Sequence, residues 1–93
     1  MIKVVLPARQ NRMEETFYIL FNHKKDIAGR FTTCLIETNT KTTIATGLAE
    51  CHENDNFRKE TGRKLALKRA LESVFKDPED RKVFWDTYRS RPR

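Results

Sequence analysis

The residues of this chain that could do chemistry are few and mostly gathered in one place. Cys51 and His52 stand side by side among Glu50, Glu53 and Asp55, and the other soft ligands are Cys34 and His23. A structural zinc site needs ligand pairs spaced so that two side chains reach one ion, as in Cys-x2-Cys or His-x3-His, and adjacent Cys51 and His52 lack that spacing. A cysteine nucleophile needs a thiolate in a positive microenvironment and a base oriented by a third group. Neighbouring side chains on an extended strand point to opposite faces, so His52 is badly placed to serve Cys51. Glu50, Glu53 and Asp55 could gather around Mg²⁺ as in a nuclease, but Asp55 is suited to capping a helix and no second acidic group is specified elsewhere. The expectation is a binding protein and not an enzyme, with no metal and no cofactor.

Positive charge is the denser signal. The 93 residues carry 19 Lys and Arg against 13 Asp and Glu, a formal net charge of +6. Residues 1 to 56 balance seven cations with seven acids, whereas residues 57 to 93 hold twelve cations and six acids, so the whole surplus lies in the C-terminal part. An asymmetry of this kind points to an anionic partner docking on the C-terminal elements. Lys and Arg on one helix face, a cap region exposing backbone amides and a basic tail together make a phosphate-contacting surface. The predicted contacts are Arg58, Lys59, Arg63, Lys64, Lys68 and Arg69, with Arg91 and Arg93 adding non-specific attraction. Whether the nucleic acid is DNA or RNA is left open. A stacking platform for single strands would have to come from Phe17, Tyr18 or Phe31, residues more often found in a core.

Those cations must be positioned by a small fold. The length allows one domain over residues 1 to 93, with 89 to 93 a basic tail, and the 38% hydrophobic content is enough for one core. Ile2 to Leu6 is a short β-branched run stopped by Pro7. Ala8 to Glu15 is polar and reads as a loop. Thr16 to Asn22 reads as a strand by its aromatic and β-branched content, although a helix over residues 9 to 25 would also align Met13, Phe17, Leu20 and Phe21. His23 to Gly29 reads as a connection. Phe31 to Glu37 and Thr42 to Leu48 form a hairpin around Thr38 to Lys41. Neither face of that hairpin is uniformly apolar, so its buried face stays unassigned, and Gly47 marks a bulge or a close backbone approach.

Asn54, Asp55 and Asn56 each suit an N-cap, which starts a long helix near Asp55 or Asn56 and carries it to Phe75. Arg63, Ala66, Leu67, Ala70, Leu71 and Val74 share its sheet-facing arc, and the alanines permit close approach. Arg58, Thr61, Leu65, Lys68, Arg69 and Glu72 face outward. Gly62 costs about 1 kcal/mol relative to alanine in a helix interior and implies tight packing or a ligand backbone nearby. Asp77, Pro78, Glu79 and Asp80 open a second helix, in which Val83, Phe84, Thr87 and Tyr88 form a stripe. Too short to stand alone, it must dock, against Leu65, Phe57 or Phe75. The fold class is therefore α+β: an antiparallel sheet of three to four strands, one long amphipathic helix packed on it and a short C-terminal helix.

Met1 to Leu6 is too short for a signal peptide or a membrane span, and neither end carries a lipidation motif, so the expected compartment is cytoplasmic. The pattern Ala45, Gly47, Ala49, Cys51, Asp55, Phe57, Lys59, Gly62, Arg63, Ala66, Leu67, Arg69, Ala70, Leu71 resembles a segment of small proteins of phages and prophages, in which a hairpin also leads into a helix of this form. That resemblance covers about a third of the chain and implies a phage-type origin, with the host cytoplasm as the compartment. It adds a second expectation, a phage-encoded inhibitor or modulator binding a host protein of the anti-defence type. A weaker resemblance is to double-stranded RNA-binding domains, whose last strand also feeds a Lys- and Ala-rich helix. Where those domains start that helix with Ser-Lys-Lys, this chain has Asn56, Phe57 and Arg58.

Overall fold

The computed structural model describes residues 1–27, 29–51 and 59–90. Four strands, β1 (Ile2–Leu6), β2 (Glu15–Asp26), β3 (Gly29–Thr38) and β4 (Thr43–Cys51), precede two helices, α1 (Lys59–Val74) and α2 (Pro78–Arg89). The strands form one antiparallel sheet in the order β1-β2-β3-β4, and the long helix packs on it. The expected cap at Asn54, Asp55 and Asn56, together with His52, Phe57, Arg58, Arg91 and Arg93, lies outside the described residues.

Residues 15 to 26 are strand throughout, which settles the choice between strand and helix. The stretch His23 to Gly29, expected to be a connection, is mostly strand as well: Lys24 pairs with Phe31, Lys25 with Arg30 and Asp26 with Gly29. The cross-strand ladder overrides the polar composition, because the backbone pairs whether or not the side chains are apolar. Gly29 has φ 136°, a backbone conformation open to glycine and strained for other residues. The expected loop from Ala8 to Glu15 contains its own tight turn, with Arg9 and Arg12 exchanging N–H···O bonds of 2.8 and 3.0 Å.

Register assigns the face that composition left open. Ile19 stands opposite Ile36, Phe21 opposite Cys34 and His23 opposite Thr32, and across the next pair Ile36, Cys34 and Thr32 meet Ala45, Gly47 and Ala49. This is the helix-facing side, and Val4, Leu6, Phe17 and Ile19 continue it across β1 and β2. A register shift between Ile36 and Glu37 sets Glu37 opposite Thr43, so Ile44 and Ala45 both reach the core despite being neighbours. The opposite side, with Val5, Tyr18, Leu20, Phe31, Leu35 and Leu48, has no helix over it among the described residues. Of the three aromatics considered for stacking, Phe17 is core, while Tyr18 and Phe31 are half-buried on this open side.

Helix α1 lies on β3 and β4 with Ala66, Leu67, Ala70 and Leu71 buried. Its approach is close enough that a Cβ built at Gly47 would run into the carbonyl oxygen of Ala66 and lie 2.6 Å from the backbone nitrogen of Ala70. Val74, expected in the core, is 41% exposed. The helix ends there, and Phe75 takes the corner instead, with its ring centroid 5.5 Å from Phe17 and 4.8 Å from Phe84.

Helix α2 docks on β1 through Phe84 and Tyr88, both fully buried. Asp77 caps it as its sequence implies, accepting from the Glu79 N–H at 3.0 Å, with Pro78 in the first turn. Asp80, in the same turn, is buried and held by both guanidinium nitrogens of Arg12 at 2.7 and 2.8 Å. Arg9 adds contacts to Asp77 at 3.1 Å, Glu79 at 2.9 Å and Asp80 at 3.5 Å. The Arg12 hydrogen bond lowers the Asp80 pKa below its ordinary value of 3.8.

Two outcomes follow for stability. Gly47→Ala forces α1 off β4 and costs about 3 kcal/mol, read in a urea titration as a lower midpoint with a similar slope. Asp80→Asn costs about 2 kcal/mol at pH 7. Because the folded carboxyl is the stronger acid, the contribution of Asp80 is present above pH 3.8 and lost as pH falls through its folded pKa, so the gap between wild type and variant narrows in acid.

Candidate nucleic-acid interface

The predicted contact residues separate once their surroundings are seen. Lys59 is exposed at the first described residue of α1, and Lys64 and Lys68 are exposed further along it. Arg63 is half-buried; its Nη2 donates to Glu60 Oε2 at 2.9 Å, and its Nε is buried with no hydrogen-bond partner among the described residues. Glu60 also accepts from the Tyr88 hydroxyl at 3.0 Å, so this carboxylate ties Arg63 to α2. Burial in that arrangement makes Arg63 a brace between the helices. Arg69 is exposed but its Nη1 donates to the carbonyl oxygen of Leu48 on β4, capping a free acceptor on an edge strand. Arg58, Arg91 and Arg93 lie outside the described residues.

Cations at the end of the β2–β3 hairpin, two of them in the stretch expected to be a connection, come close to α1. Lys24, Lys25 and Arg30 at the end of the β2–β3 hairpin, with His23 and Lys59, line a cleft of about 200 Å³. His23 sits on the helix-facing side of β2 and shares a 2.9 Å hydrogen bond between Nδ1 and the hydroxyl of buried Thr32. Burial, then the charges of Arg63 and Lys59, lower its pKa below 6.5, which keeps the imidazole neutral at pH 7. The available signal was the run His23, Lys24, Lys25 followed by Arg30, whose value depended on knowing that these residues are paired strand.

A wider groove of about 1340 Å³ runs between the helices over β1 and β2. Ile2, Ile19 and Phe21 line it together with Lys3, Arg63 and Lys64, and Glu60 and Asp86 supply the opposite charge. At the other end of β2, Arg9 and Arg12 are engaged by Asp77, Glu79 and Asp80.

Cys34 is fully buried and its thiol is pushed up to about 12 by burial, which leaves it a packing residue with negligible thiolate. Cys51 ends β4, and its neighbour His52 lies outside the described residues. Among the described residues no three His, Cys, Asp or Glu side chains gather as a metal site, and no helix is long and apolar enough to cross a membrane. Set against protein-family models, curated proteins and solved structures, the chain matches none.

The two outward cations of the second half of α1 have different expected roles. Arg69→Ala removes the cap on the Leu48 carbonyl and costs about 1 kcal/mol, whereas Lys68→Ala stays within about 0.5 kcal/mol of wild type. Denaturant titration of the two variants side by side separates a structural arginine from a surface lysine.

Proposed function

We propose that this chain binds nucleic acid through its phosphates, as a small phage-type accessory protein acting in the host cytoplasm, with the exposed cations of α1 and the hairpin end as its contact surface. The observation that carries the reading is the segregation of charge. Arg9 and Arg12 are committed to the acidic start of α2, while Lys24, Lys25, Arg30, Lys59 and Lys64 stand toward the opposite end of β2. Lys64 and Lys68 are one helical turn apart and exposed, suited to neighbouring phosphates of one backbone. The working surface is therefore the exposed lysines of α1 with the hairpin end, without Arg63 and Arg69, which have structural partners.

A second reading, a phage-encoded modulator that docks on a host protein, is favoured by the open side of the sheet. Leu48 is 44% exposed there, diagonal to half-buried Leu35, which stands directly opposite half-buried Leu20. Isolated exposed aliphatics are ordinary, but aliphatics contiguous on an uncovered sheet suit a partner surface.

A salt series of binding to generic DNA and RNA decides between them. On the nucleic-acid reading the logarithm of affinity falls linearly with log salt, and Lys64→Glu/Lys68→Glu lowers the steepness by about 1 to 2 on DNA. Absence of binding to either polymer at low salt removes the first reading and leaves the second.

A further inference from the structure

The side of the sheet away from the helices carries its charge in a definite arrangement. Alternation along the strands places Lys3, Lys24, Glu37 and Glu50 there, two cations and two acids, so the charges described on it cancel. A polyanion gains nothing from a neutral face. The cations stand on β1 and β2 and the acids on β3 and β4, which divides the face into a positive and a negative half. Its middle is apolar: Leu20 stands directly opposite Leu35, and Tyr18 and Leu48 are diagonal to Leu35.

A face divided in this way is complementary to a second copy of itself about a two-fold axis parallel to the strands. Such an axis, midway between β2 and β3, lays β2 of one copy over β3 of the other and β1 over β4, so each residue meets the cross-strand neighbour it already has. Leu20 then packs on Leu35 of the second copy, the Tyr18 hydroxyl comes to the Glu37 carboxylate, and Asn22 faces Thr33. Lys3 comes over Thr43, whose hydroxyl donates to Glu37 Oε2 at 3.4 Å and so holds that carboxylate where the ammonium arrives. A two-fold axis across the strands would instead keep β1 and β2 over themselves and bring Lys3 toward Lys24. Packed sheets stand about 10 Å apart with strands within about 30° of each other, the relation the parallel axis produces. Helix α1 lies on the outer layer of such a pair, with Lys64 and Lys68 still in solvent.

Area sets the strength of the association. Strands about 4.8 Å apart and the run from Tyr18 to Lys24 at about 3.4 Å per residue give a face of roughly 19 by 24 Å. Two copies bury about 900 Å² between them, more than most lattice contacts and less than the ~1,600 Å² of a standard interface. An area of this size fits a reversible dimer and not an obligate one.

We infer that the open side of the sheet is covered by a second copy of this chain, giving a two-fold dimer with its sheets face to face. The inference goes beyond both functional readings, and its test contains no nucleic acid. Sedimentation velocity of the nuclease-treated full chain between about 1 μM and 1 mM should show monomer passing into dimer. Leu35→Glu, which sets a carboxylate against Leu20 of the second copy, should stay monomeric across that range with the circular dichroism spectrum of wild type. Lys3→Glu and Glu37→Lys each bring like charges together, and each contact occurs twice, so each should weaken the dimer about tenfold. The double reversal, Lys3→Glu/Glu37→Lys, should restore it. These reversals carry the test by themselves should Leu35→Glu lose its fold.

A monomer throughout overturns the inference and leaves the face to a host protein. A dimer that none of the substitutions weakens also overturns it, and moves the contact to an edge strand, β1 or β4. So does weakening by both single reversals without recovery in the double. The salt series with nucleic acid is independent of all these outcomes, so the dimer and the nucleic-acid reading stand or fall separately.

Discussion

The contact on which the rest of the structure depends is the one between Gly47 and the backbone of α1. A strand residue without a side chain meets a helix face made of Ala66 and Ala70, so the two backbones approach as closely as atoms permit. That closeness brings Leu67 and Leu71 down onto the sheet around Ile36 and Cys34, where apolar burial is worth about 25 cal/mol per Å². It also fixes the lateral position of the helix. With α1 over β3 and β4, the apolar side of β1 and β2 is left for α2, whose Phe84 joins Phe17 and Phe75 in one aromatic cluster. The placement of every outward cation on α1 follows: Arg69 comes within reach of the Leu48 carbonyl, and Lys59 comes beside His23.

The second organising element is electrostatic. The turn from Arg9 to Arg12 delivers two guanidinium groups to the first turn of α2, where Asp77, Glu79 and Asp80 already favour the positive end of the helix dipole. A planar guanidinium matches a carboxylate with two parallel bonds, and the Arg12–Asp80 pair uses both. Counting charge by halves of the sequence conceals this pairing. The N-terminal part is neutral by count, yet two of its arginines neutralise acids of the C-terminal part, so the cations released from that balance are those of residues 57 to 93, the lysines of α1 among them.

Much of the architecture was legible because local signals agreed with one another. Threonine- and aliphatic-rich runs around Thr38 to Lys41 announced a hairpin, the alanines at 66 and 70 announced a close helix, Gly47 implied either a bulge or a close approach, of which the approach is the one found there, and Asp77 with Pro78 announced the second helix. The failures have equally local causes. The buried face of the hairpin could not be chosen because Thr32 is buried and Leu48 is exposed, the reverse of what their polarity suggests. Lys24 and Lys25 have the composition of a solvated loop beyond Asn22, although a ladder to β3 carries them. Arg12 and Asp80 are 68 residues apart, and no periodicity links residues across such a distance. Arg63 was legible as a cation, but its bond to Glu60 and the link from Glu60 to Tyr88 required the position of α2.

What changes for the site is its rigidity as much as its location. Lysines on an exposed helix face, such as Lys64 and Lys68, rise about 6 Å along the axis and keep nearly all their side-chain freedom. Lys25 and Arg30 spring from paired strands on the same face of the sheet as His23, and Lys59 comes near them from another element. Convergence from separate elements concentrates potential at one point, whereas a single helix face spreads it along a line. The first arrangement is set by the strand register and the second by the helix repeat alone. The distribution of cations in this fold contains both.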